Sequence, residues 1–183
     1  MDGENIYKNP PIFFGEKDKQ DEYMEKQKEI TKKLLDATDS RNTTEFLVKM
    51  IYGEDHYLPV RLLDTKVEAY RQRVPELADA IENVESYNNF RGKYLAEALR
   101  YLHNKGYVSS VKFGSEGSPV CYVEPSYWNH QASNYVKKEG YEETPYTEAE
   151  RNMMYNAIER KLKSLDPHEL DRTEYSGVRA WWD

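Results

Sequence analysis

The chain has 183 residues, with 26 Lys and Arg against 33 Asp and Glu, and a formal net charge of −7. That length suits one domain with added helices, the 13% aromatic content argues against a wholly disordered chain, and a single cysteine excludes an internal disulfide framework and a cysteine-rich zinc site. No apolar run nears the roughly 18 residues of a membrane span, and the polar opening stretch Met1 to Asn9 does not read as a secretory signal, so a cytoplasmic protein without a membrane partner is expected.

Residues 1–41 read as an irregular arm followed by a charged helix. The arm holds Pro10, Pro11 and Gly15 around Ile12, Phe13 and Phe14; the helix, over 16–38, has a thin apolar stripe of Tyr23, Met24, Ile30, Leu34 and Leu35. So narrow a stripe leaves open whether it packs on the body or on a second copy. Asn42 with Glu45 signals a new helix start. Phe46, Leu47, Met50 and Ile51 then form its apolar face, and Gly53 ends it. A short extended piece surrounds Pro59. Helical patterning resumes near Asp64 with Val67 and Tyr70, and Pro75 suits the first turn of a further helix through Leu77, Ala78, Ile81 and Val84.

From Phe90 to Lys105 the set Phe90, Leu95, Ala98, Leu99 and Leu102 keeps helical spacing, and Gly106 stops the helix. Tyr107 to Phe113 and Val120 to Val123 are rich in β-branched and aromatic residues and flank Gly114-Ser115-Glu116-Gly117-Ser118-Pro119, a β-hairpin pattern. Residues 126–146 are Tyr-rich without a clear period. Thr147 with Glu150 forms a capping box for a helix lined by Met154, Ala157, Ile158, Leu162 and Leu165. Asp166-Pro167 ends it, a short turn runs through Leu170, and the tail closes on Trp181-Trp182.

Helix, short strand, helical segment, longer helix and hairpin, in that order over residues 42–125, resemble a winged helix-turn-helix domain. Tyr94 to Val108 carry the likeness most strongly: a Leu-rich helix end, a polar pair and Gly106, which leads straight into the first hairpin strand. The long second-helix region, split by Pro75, departs from the pattern. The resemblance implies a mainly α fold with a small β-hairpin, a winged helix (42–125) flanked by the N-terminal arm and helix (1–41) and by a Tyr-rich connector with C-terminal helices (126–183).

It also implies a DNA-binding regulatory or accessory protein rather than an enzyme. The helix over about 88–105 would enter the major groove of double-stranded DNA, with Asn88, Asn89, Arg91, Lys93 and Arg100 reaching bases and phosphates. The wing over 107–124 would add Lys112, Ser115 and Ser118. Charge agrees in sign: residues 86–125 hold Arg91, Lys93, Arg100, Lys105 and Lys112 against Glu97, Glu116 and Glu124, the one segment with a positive balance. The alternative is an acidic protein-binding module, an adaptor or an inhibitor of a nucleic-acid enzyme, that grips a protein partner through its many tyrosines. In either case the stripe Met154, Ala157, Ile158, Leu162 and Leu165 is expected as a homodimer interface.

No cofactor or metal is expected. His56, His103, His130 and His168 form no ligand pair with one another or with Cys121. Cys121, in an expected strand, reads as a small buried residue. Neither a nucleophile elbow nor a phosphate loop occurs.

Overall fold

The structure is a computed structural model; it describes residues 17–37, 66–84, 86–127, 145–174 and 177–183. The arm over 1–15, the helix expected after Asn42 and the extended piece around Pro59 lie outside the described residues.

The elements follow the chain as α1 (Lys17–Asp36), β1 (Val67–Tyr70), a 3-10 turn (Arg71–Arg73), α2 (Val74–Ile81), α3 (Gly92–Asn104), β2 (Val108–Ser115), β3 (Pro119–Pro125), α4 (Glu148–Lys163), β4 (Glu169–Thr173) and β5 (Gly177–Trp181). The five strands form one antiparallel sheet in the order β1-β2-β3-β5-β4. This corrects the expected fold class, mainly α with a small β-hairpin. The protein is a mixed α/β fold built on a five-stranded sheet.

Three local readings account for the difference. Val67 to Tyr70 looked helical, but four residues cannot separate a helical period from an alternating one. Val67 and Ala69 are in fact buried while Glu68 and Tyr70 face the other way. Residues 169–181 read as a turn and a tail, yet Gly177-Val178-Arg179-Ala180-Trp181 alternates small or apolar with polar or amphipathic side chains, the pattern of a half-buried strand. Finally, the hairpin expected as a wing is the middle of the sheet. β1 pairs with the outer side of β2, and β5 with the outer side of β3.

Strand alternation divides the sheet into two faces. Val67, Phe113, Cys121, Ala180 and Leu170 stand in one cross-strand row, with Ala69, Val111, Val123 and Val178 in the next. All but Leu170 are buried, and Leu170 packs against the core. Helices cover this face. Phe90, just before α3, lies 5.9 Å from Phe113 and meets Trp182 edge-on at 5.4 Å, offset and T-shaped geometries that aromatic quadrupoles favour. Trp182 is fully buried, and its indole Nε1 donates to the Leu165 carbonyl at 3.1 Å, which satisfies its polar atom.

The helices pack against one another. α2 begins with Pro75 in its first turn, and α3 packs beside it so closely that a Cβ on Gly92 would lie 2.3 Å from the Ile81 carbonyl oxygen. α4 starts at the Thr147–Glu150 capping box and packs on β3, β5 and α3. Arg172 on β4 clips to α4 through Glu159 and Asn156, at 2.8 and 2.6 Å. α1 packs on α2 within the same chain, burying Gln27, Ile30, Thr31, Leu34 and Leu35. The Arg73 guanidinium donates to the Asp36 carbonyl at the end of α1.

Candidate functional site

α3 sits between α2 and α4, and its three sides differ. The inner side is apolar: Leu95, Ala96, Ala98, Leu99 and Leu102 are buried. The flank toward α2 is electrostatically closed. Arg100 Nη2 donates to Asp79 at 2.6 Å and to Glu82 at 2.7 Å, and those hydrogen bonds raise the guanidinium pKa further.

The flank toward α4 is open, aromatic and basic. Tyr94 and Tyr101 are 57% and 48% exposed. Seven residues apart, they share one face of the helix, about 10 Å from each other along its axis. The Tyr101 ring is bracketed by two ammonium groups: Lys161 Nζ from α4 at 4.7 Å from the centroid and Lys105 Nζ at 5.7 Å. Each such contact contributes roughly 0.5–1 kcal/mol at an exposed position. Arg160 and Lys163 are exposed in the last turn of α4; Lys93 is also exposed, but seven residues before Arg100 it lies on the α2 side of α3. Glu97 is the acidic residue on the α3 surface between the two tyrosines.

The residues expected to touch nucleic acid are only partly brought together. Asn88 and Asn89 form the tip of the Tyr87–Phe90 turn, with Asn88 at φ +46°, and Asn89 Nδ2 donates to Asp166 at 3.0 Å. Arg91 folds onto its own turn and donates to the carbonyls of Phe90, at 2.8 Å, and Asn88. Lys93 points outward, whereas Arg100 is held by two carboxylates. Ser115 and Ser118 are buried, so they do not form an exposed wing tip. Lys112 lies on the opposite face of the sheet from the helices, 3.9 Å from Glu68. The stripe expected as a dimer interface packs inside the chain: Met154, Ile158 and Leu162 are buried, and Leu165 is packed against the core with Ala157 half-buried. Tyr101, Lys105 and Lys161 as one cluster escaped sequence reasoning, because Lys161 belongs to another helix.

A second polar cluster lies on the far face of the sheet. Glu116, in the β2–β3 turn, accepts from Tyr122 Oη at 2.6 Å, lies 2.9 Å from Lys66 Nζ and accepts from Arg179 at 3.0 and 3.2 Å. Burial pushes the Glu116 carboxyl up, but hydrogen bonds from Tyr122, Lys66 and Arg179 outweigh it and hold the group at about 2. Burial, then the Glu116 hydrogen bond, raises the Tyr122 hydroxyl. Arg179 also reaches Glu169 at 2.7 Å. Each member of this cluster is engaged by another member, which makes it a clamp on strand ends rather than a reactive centre. Cys121 is fully buried, and burial pushes its thiol well above the ordinary range, so the reactive thiolate is disfavoured.

Among the described residues no group of three or more His, Cys, Asp or Glu is placed to hold a metal ion, and no helix is long and apolar enough to cross a membrane. An open groove of about 600 Å³ runs between α1 and the end of α2, lined by Tyr23, Lys26, Gln27, Glu82, Asn83, Val84 and Ser86. Comparison with known proteins found no matching family model, no matching curated protein and no matching solved structure.

Proposed function

We propose that this chain is a nucleic-acid-binding protein with a regulatory or accessory role, and that its contact surface is the open flank of α3 together with the last turn of α4. The observation that carries the reading is the half-exposed Tyr101 ring bracketed by Lys105 and Lys161. Cations beside an exposed aromatic offer two things nucleic acid uses: a countercharge for phosphate and a flat face for a base. The net charge of −7 does not oppose this, since binding depends on the local field.

The test is fluorescence anisotropy with labelled 30-mer oligonucleotides, single-stranded and duplex, at 50 and 200 mM salt. Binding should weaken with salt, and Lys105→Glu with Lys161→Glu should reduce it by about tenfold or more, as expected when phosphate contacts are removed. No binding to any oligonucleotide at 50 mM salt would refute the reading. A protein partner is the second reading. It is favoured by the capture of Arg100 by Asp79 and Glu82, which takes from α3 its best-placed group for reading bases.

A further inference from the structure

We infer that the nucleic acid this surface takes is single-stranded, with unpaired bases stacked on Tyr94 and Tyr101 and phosphates drawn to Lys105 and Lys161. This rests on the nucleic-acid reading above and narrows it, replacing the duplex expected from sequence.

Three observations point the same way. The first is steric. A helix with its side chains is about 10–12 Å across, nearly the width of the major groove at about 12 Å, so a recognition helix must stand clear of its neighbours. α3 does not. Arg100 ties it to α2 on one side, and the Tyr101–Lys161 contact joins it to α4 on the other. A strand laid across the helices meets no such obstacle.

The second is the state of the arginines. Bidentate reading of guanine edges in a duplex relies on the planar guanidinium. Arg91 is turned onto the Asn88 and Phe90 carbonyls, and Arg100 is held by two carboxylates. The cations that bracket Tyr101 are lysines, Lys105 and Lys161, which act as point charges and suit phosphates without regard to sequence.

The third is the pair of rings. Tyr94 and Tyr101 are the large aromatic side chains exposed on α3, and every base has a face that can stack on them, whereas in a duplex those faces are already stacked on their neighbours. Glu97 between them keeps a phosphate off that point, so the backbone must follow the lysine side. Stacking on a ring and attraction of phosphate to lysine do not involve the 2′-hydroxyl, so DNA and RNA strands share the chemistry this surface would use.

The experiment measures anisotropy of 5′-labelled dT30, rU30 and a 30-base-pair duplex on the full chain at 50 mM salt. Single strands should bind at least tenfold more tightly than duplex. Tyr94→Ala with Tyr101→Ala should cost a further tenfold or more on single strands, while Tyr94→Phe with Tyr101→Phe keeps affinity within about twofold, since stacking needs the ring and not the hydroxyl. Glu97→Gln should tighten binding about twofold to threefold by removing a like charge beside phosphate. Because both rings are exposed, all variants should melt within a few degrees of the parent, which circular dichroism checks. Duplex bound as tightly as single strands, or affinity unmoved by the double alanine variant, overturns this inference and leaves the broader reading standing. No binding by any of the three probes overturns both. A strong preference between dT30 and rU30 would assign the strand to DNA or RNA and support the stacking arrangement only if the alanine variant loses the preferred one.

Discussion

Glu116 in the β2–β3 turn and Arg179 on β5 are joined although they lie 63 residues apart in the chain: the guanidinium Nη2 and Nε both donate to Glu116 Oε2, at 3.0 and 3.2 Å. The pair ties the tip of the central hairpin to the strand beside it, and Lys66 and Tyr122 close on the same carboxylate. Glu116→Gln retains the shape and removes the charge. We expect it to lower stability by about 1–3 kcal/mol, the usual cost of leaving partly buried cations without their charged partner. Urea unfolding followed by circular dichroism reads this. An unchanged midpoint would mean the contacts are surface pairs of no net worth.

The same carboxyl sets a pH dependence. Its folded value, about 2, lies below the ordinary 4.5. The folded state therefore favours the ionised form, the stabilisation is complete above about 4.5, and it is lost as pH falls from there toward 2. The full shift corresponds to about 3 kcal/mol, and solvent screening at this half-exposed position should reduce it to about half. Stability measured between pH 6 and pH 2.5 should fall more steeply in the parent than in Glu116→Gln. Parallel curves would show that other carboxyls dominate acid unfolding.

Two glycines with similar backbones should respond differently to alanine. Gly117 has φ +79° and open space where a Cβ would sit, whereas Gly177 has φ +77° and a Cβ there would lie 2.2 Å from the Val123 carbonyl oxygen. Gly117→Ala should cost about 1–2 kcal/mol, the left-handed penalty alone. Gly177→Ala adds a backbone clash at the β3–β5 pairing and should cost about 3 kcal/mol or more. Comparable urea midpoints for the two variants would contradict the close approach.

The α4 stripe is core. Leu162, fully buried, should cost about 2–5 kcal/mol on change to Ala. Ile158→Glu with Leu162→Glu would bury two carboxyls against the sheet and should abolish cooperative unfolding. Size-exclusion chromatography with thermal melting distinguishes the outcomes. A folded double variant with an unchanged melting temperature would mean that the stripe faces solvent or another copy.

What sequence reasoning found, it found through signals that act over a few residues. The Leu95–Ala98–Leu99–Leu102 spacing marked α3, and Gly106, expected to stop the helix, follows its end at φ +73°. Thr147 with Glu150 marked the start of α4, and both hydrogen bonds of the capping box are formed. Cys121 was expected buried in a strand and is. The strand β5 was also written locally, in the alternation around Val178, Arg179 and Ala180, but the neighbouring tryptophans read as a tail.

Composition, helix caps, the turn glycine and the central hairpin were thus determined by the chain itself, because a hydrogen bond between Thr147 and Glu150, or a stripe along one helix, needs only near neighbours. Which strands flank the hairpin, and which charge meets which, were decided by the tertiary structure alone. Arg100 finds Asp79 on α2 and Glu82 just past its end, 21 and 18 residues away in the chain, Glu116 finds Arg179 across β3, and Lys161 reaches Tyr101 from a different helix. Sheet register and helix packing set those pairings. As a result Arg100, basic in the sequence, is neutralised in the fold, while Tyr101 stands between Lys105 and Lys161.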